Sequence, residues 1–323
     1  MVSAGMSKGQ ESTRLLRVIY VTHKLMTISS AIQSNVTKTY AIMTFFVVFV
    51  VLVGYVLGHA LGYGNSFMWF AVLFSVISSF VSYYWGDSLI LALSHARPAD
   101  RQRDFDFFTV TENLAIAAGL PKPRLYVIDD TALNAFATGR DPQHAVIVAT
   151  SGILASLERR ELEGVIAHEL SHIKNFDTRL MAVVAVLVGT VAYLADIFLR
   201  SLWWGGRRDR DDDRGLGAIL LVVGIVLAII SPIIAKLIQL AASRNREYLA
   251  DVTGAKLTRY PEGLARALEK LGKDKEVLEA ATNATAHLYI TNPFKGKNFG
   301  AWFANAFNTH PPIADRIKRL RAL

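Results

Sequence analysis

Residues Thr39 to Gly86 contain no Asp, Glu, Lys or Arg. At about 20 residues per crossing, the run is long enough for two membrane helices. Gly58, Gly62, Gly64, Asn65 and Ser66 interrupt it near the middle, where a turn belongs. The pattern predicts helices over 39–59 and 67–86, joined outside the membrane. A buried hairpin in a soluble domain is the alternative, and the length of the uncharged run argues against it. A second hydrophobic pair follows. Leu180 to Leu199 is apolar apart from Asp196, and Gly215 to Ala235 is uncharged, with Pro232 as an expected kink. The expectation is a mostly helical α+β protein with four membrane-embedded helices and a small β-sheet in its polar part. Its organisation reads as an extension over 1–38, a membrane hairpin over 39–86, polar segments over 87–179 and 243–323, and a second hairpin over 180–242 with an exposed loop at 200–214.

Composition narrows the chemistry. Apolar residues make up 52% of the 323 and charged residues 19%, a balance that leans to the membrane class. There is no cysteine, which excludes a disulfide framework and a thiolate metal site, so any metal rests on His, Asp or Glu. The net charge of +8 fits basic flanks held at a cytoplasmic leaflet. No aromatic-basic module is present, so no nucleic-acid partner is expected. Residues Leu15 to Ile32 read equally as a surface-lying helix or as a tail, and no cleavable signal stands before the first apolar run.

The polar segment carries the chemistry. Phe107 to Ala118 reads as a helix stopped by Gly119, and Arg124 to Ile128, Ala135 to Thr138 and Ala145 to Ala149 read as strands. Leu157 to Phe176 has helical spacing and contains GVIAHELSHIKNFD. On a helix, His168 and His172 stand one turn apart on one face and can grip one metal ion. Glu169, offset by one residue, can reach a water on that metal without ligating it. Zn²⁺ acidifies such a water, and Glu169 is then placed to take its proton. A third protein ligand is required. The candidate is Glu247 in SRNREYLAD, with Asp251 one turn later as a carboxylate that orients a metal-bound histidine. An ordinary charged helix explains the same string equally well on pattern alone.

Topology links the two sites. His172 to Leu180 spans about 12 Å as helix, and Ala242 to Glu247 about 8 Å. Both therefore lie just off the membrane, and they share a metal only if the chain leaves and returns to the same side. The second hydrophobic pair does that, whether its helices cross fully or dip in and return. The turn near 59–66 lacks Lys and Arg while both flanks of the first hairpin are basic, which puts the N-terminus and catalytic part in the cytoplasm. The 200–214 loop, with Arg200, Arg207, Arg208, Arg210 and Arg214, strains that reading.

HELSHIKNFD followed by REYLAD resembles the HtpX family of membrane zinc peptidases, as do LNAFATG at Leu133 to Gly139 and THPPIADRI at Thr309 to Ile317. The CAAX prenyl proteases are more distant relatives. The resemblance covers the chain from about Thr39 onward. It implies a zincin fold, one Zn²⁺ per chain on His168, His172 and Glu247, and Glu169 as base. It also implies cleavage of unfolded or membrane proteins from the inner membrane, in protein quality control. Asn134, Ala135, Phe136 and Ala137 are then the edge strand that pairs with substrate, Asn134 bonding its backbone. His310 and Arg316 are the residues expected to meet the substrate or the developing oxyanion.

Two other classes compete. A scaffold with structural zinc would have no use for Glu169. A transporter, suggested by Asp196 and Lys236, would show an inverted repeat, and the sequence has none. Both charges lie near segment ends and read as structural. His23, His59, His95, His144 and His287 lack ligand spacing, and Trp203 and Trp204 fit an interfacial belt. Nothing in the sequence sets an oligomeric state.

Overall fold

The computed structural model describes residues 28–60, 64–205, 237, 243–294 and 311–323. The expected fourth membrane segment at 215–235, most of the 200–214 loop, and His310 lie outside these residues.

Helix α1 runs Ile28–Ala60 and α2 runs Asn65–Leu93. Both outrun the sequence expectation: α1 starts earlier, through the polar stretch that holds Asn35 and Lys38, and α2 runs on past Asp87 through the apolar Leu89–Leu93. On α1, Asn35, Thr39, Ile42 and Phe46 are buried in a stripe of helical spacing. The opposite face and α2 expose Val48, Leu52, Trp69, Phe70, Leu73 and Ile77, which suits hydrocarbon and not water. After β1 (Arg97–Pro98) come α3 (Phe105–Ala118), β2 (Arg124–Ile128), β3 (Ala135–Thr138) and β4 (Val146–Thr150). Then follow α4 (Ser151–Ser156), α5 (Arg159–Lys174) and α6 (Asp177–Gly205). Beyond the undescribed stretch lie α7 (Arg244–Thr258), α8 (Pro261–Lys273) and α9 (Ile313–Leu320). Among the described residues, three segments are long and apolar enough to cross a bilayer: Ile32–His59, Asn65–Leu93 and Asp177–Asp196.

The strands form one mixed sheet in the order β1-β2-β4-β3, with β2 parallel and β3 antiparallel to β4. The sheet is a middle layer. Ala135, Ala137, Ile147 and Ala149 pack on one side with Val165, Ile166 and Leu170 of α5. Phe136, Val146 and Val148 pack on the other with Leu180, Val183 and Val184 of α6. Burial on both faces explains why β4 reads VIVAT without alternation.

Candidate metal centre

Helix α5 is pinned at its start. The Glu161 carboxylate accepts from its own cap residue, Glu158 N, at 2.8 Å and from Lys270 Nζ of α8 at 2.6 Å. Leu162, Val165, Ile166, Leu170 and Ile173 bury its apolar stripe, each worth about 1.5–3 kcal/mol. Two glycines set how closely neighbours approach. A Cβ on Gly164 would stand 2.5 Å from Leu264 N, and one on Gly254 would stand 3.0 Å from His168 N. The second approach brings α7 against the face of α5 that carries the histidines.

There the carboxylate of Glu247 meets both imidazoles, and all three side chains are buried. His168 Nε2 and His172 Nε2 are 3.2 Å apart. Glu247 Oε1 lies 3.5 Å from His172 Nε2, and Oε2 lies 3.8 Å from His168 Nε2. Ligand bonds of about 2.0–2.1 Å in a tetrahedron set donor atoms roughly 3.3 Å apart, so a zinc-sized cation fits this spacing. The remaining ring nitrogens fix the direction of the lone pairs. His168 Nδ1 faces Asp251 Oδ1 at 3.0 Å, and His172 Nδ1 faces Asp177 Oδ2 at 2.9 Å. With each Nδ1–H donated to a carboxylate, each Nε2 is left with a lone pair that could bind a metal. The donor set therefore suits a divalent metal.

Asp177 was missed in the sequence, although it ends the motif HELSHIKNFD. It reaches His172 because Phe176 adopts a left-handed conformation, φ 57°, which turns the chain sharply between α5 and α6. No spacing rule announces such a turn at a phenylalanine.

The electrostatics follow from burial and pairing. Burial alone would lower His172, but the hydrogen bond to Asp177 and the charge of Glu247 carry it up to about 9. Burial keeps His168 below its ordinary value. Burial pushes Glu169 up to about 7, against the pull of His172 and a hydrogen bond from the Ala137 backbone N–H. Burial would also raise Asp251, yet Arg316 and His168 hold its carboxyl below the usual range.

Arg316 is fully buried and donates to both Asp251 oxygens, from Nε at 2.9 Å and Nη2 at 2.7 Å. Its Nη1 donates to Ile290 O at 3.2 Å and lies 3.5 Å from Glu247 Oε2. It thus stands behind His168. Asn134 is engaged by its own chain: Nδ2 donates to Thr291 O at 3.1 Å, and Oδ1 accepts from Thr291 N at 3.4 Å. Ile290 N also donates to Ala135 O at 2.9 Å. The 290–291 backbone therefore lies along the first part of β3. Phe136 packs edge-on against Tyr289, and Ala137 meets Glu169. Of the remaining histidines, His287 is buried against Met181 O, and His144 is exposed beside Asp141.

A helix bearing His-Glu-x-x-His, a sheet alongside it and a carboxylate returning from a later helix are the parts of a metalloprotease. The family model for Peptidase family M48 matches residues 101–323, and the chain belongs to that family. It is 45% identical over 291 residues to "Protease HtpX homolog" of Caldanaerobacter subterraneus subsp. tengcongensis, covering 90% of this chain and 95% of that one. Identity to the protein of the same description from Dictyoglomus thermophilum is 44% over 300 residues, 93% of this chain and 96% of that one. The crystal structure of S. mikatae Ste24p is similar with a TM-score of 0.45 at 20% identity, covering 79% of this chain and 58% of that one.

Proposed function

We propose that the protein is a zinc endopeptidase, with His168, His172 and Glu247 as ligands of one Zn²⁺ and Glu169 as general base. The convergence of two Nε2 atoms and one carboxylate, each imidazole backed by its own carboxylate, is the observation that carries this reading. Bound there, zinc supplies a Lewis acid that polarises the scissile carbonyl and acidifies water. Glu169 takes a proton from the attacking water as its oxygen bonds the carbonyl carbon. The C–N bond then breaks, and Glu169 returns that proton to the leaving amine, giving a new carboxylate and a new amine. Burial raises the Glu169 carboxyl above its ordinary value, which suits it to both transfers.

Asp251 and Arg316 act as a positioning pair for His168. The guanidinium bonds Asp251 and Ile290 and lies 3.5 Å from Glu247 Oε2, which suits it to hold the ligand set; contact with the substrate or the developing oxyanion is a role proposed for it on the resemblance. An extended substrate pairs with β3 at Ala137, taking over the backbone N–H that otherwise donates to Glu169, since Asn134 and Ala135 already bond residues 290–291. Pairing through backbone groups demands an unfolded segment and no particular sequence. The centre lies close to the bilayer, because His172 bonds Asp177, the first residue of a candidate span. That placement supports membrane proteins as substrates; misfolded substrates and a role in quality control rest on the family resemblance, and the cytoplasmic side of the N-terminus and catalytic part rests on the basic flanks of the first hairpin. His310 remains a proposed substrate contact on the resemblance alone.

Digestion of casein by the purified, detergent-solubilised chain tests the function. Cleavage that stops with a chelator and returns with zinc is expected. Activity indifferent to chelation would overturn the reading.

A further inference from the structure

Asn35 is a buried amide at the start of the first membrane span, 2% exposed, and it belongs to no part of the site described so far. Its side chain reaches both elements that carry metal ligands. Nδ2 donates to Asn175 O at 3.0 Å, at the end of α5, and to Asp177 Oδ1 at 2.7 Å. Oδ1 accepts from Arg246 Nη1 at 3.2 Å, and Arg246 is the neighbour of Glu247 on α7. The other oxygen of Asp177 bonds His172 Nδ1 at 2.9 Å. The amide therefore makes the shortest contact to one oxygen of the carboxylate whose other oxygen orients a ligand, with Arg246 Nη1 at 3.5 Å from the same oxygen, and it ties that carboxylate to the helix bearing the third ligand.

The chemistry makes the arrangement costly to disturb. A buried amide without partners is unfavourable, and so is a carboxylate deprived of a donor. An Asp177 freed to rotate would release His172 from its tautomer and orientation. We propose that Asn35 is a positioning residue for the metal centre, so that docking of the first membrane helix completes the site. Polar groups inside membrane segments commonly carry function, and here the partner network is named. The inference rests on the metal reading above.

The test uses the full chain in detergent, with zinc affinity measured by competition against a chromophoric chelator. Asn35→Ala is expected to bind zinc about tenfold more weakly, the lower end of the effect of removing a group behind a ligand. The visible bands of the cobalt-loaded variant are expected to shift. Thr39→Val, buried one turn along the same helix with its hydroxyl donating to Asn35 O, controls for loosened helix packing and leaves both readouts unchanged. Asp177→Ala also weakens binding, and the double variant is no weaker than Asp177→Ala alone, because both losses run through one carboxylate. Should Asn35→Ala fail to accumulate, Asn35→Asp keeps the size, removes the donor and sets a carboxylate against Asp177, again lowering affinity. Unchanged zinc affinity in the Asn35 variants, or losses that add in the double variant, would overturn the proposal. A wild-type chain that binds no zinc would instead sink the metal reading.

Discussion

Glu169 and His172 illustrate how single side chains set the chemistry. Glu169→Gln keeps the size of a buried group that makes no ligand contact, so zinc content is expected to stay at the wild-type level. Cleavage should fall by about 10²–10⁴-fold, the usual contribution of a general base. Metal analysis alongside single-turnover proteolysis checks both halves, and full activity would remove Glu169 from the mechanism. His172 carries a proton in the metal-free site up to about pH 9, held by Asp177 and Glu247. That proton has to leave before the nitrogen can ligate. Zinc uptake at pH 7 is therefore expected to release a proton, and affinity to strengthen as pH rises toward 9. Calorimetry in two buffers of different ionisation heat reads the release directly, and equal heats would contradict it. Behind the ligands, Arg316→Ala would strand the Asp251 carboxylate in a buried site. The expected cost is about 3–5 kcal/mol of stability, read as a lowered melting temperature.

Elements bring these groups together, and close approach is the controlling variable. Gly164→Ala would set a methyl group 2.5 Å from the Leu264 backbone nitrogen, so α5 and α8 must separate. A loss of about 1–3 kcal/mol is expected, seen as a lower midpoint of thermal unfolding. Much at this scale was legible in the sequence. The strands at 124–128 and 135–138 match the expected bounds, and β4 is shifted by one residue. The helix holding His168 and His172 announced itself by apolar spacing. Glu247 was reached by a motif plus the need for a return to one side of the membrane. What stayed hidden depends on contacts between distant segments. Asp177 needed a left-handed Phe176, and the clasp of Asn134 on Thr291 joins residues far apart in the chain. The start of α1 was placed too late, because Lys38 and Asn35 look like the edge of a membrane segment. In the structure Asn35 faces the protein, not solvent.

At the scale of the molecule, membrane and catalytic parts are one packed body. The face of the sheet opposite α5 rests on α6, whose first turn supplies Asp177 and whose length suits a bilayer. The proposed orientation is open to direct measurement, since the chain has no cysteine and a single one can be introduced. Asn65→Cys is expected to react with an impermeant maleimide added outside intact cells, and Lys275→Cys only after lysis. The reverse pattern would invert the topology. Everything else turns on the proposed zinc at His168, His172 and Glu247. The most direct measurement is zinc stoichiometry and zinc-edge X-ray absorption of the purified full chain. The expected result is one zinc per chain, with outer-shell scattering from two imidazoles and light-atom bonds of about 2.0–2.1 Å, and loss of the metal in Glu247→Ala. A wild-type chain without zinc, or a Glu247→Ala chain that keeps the same metal in the same shell, would contradict the account.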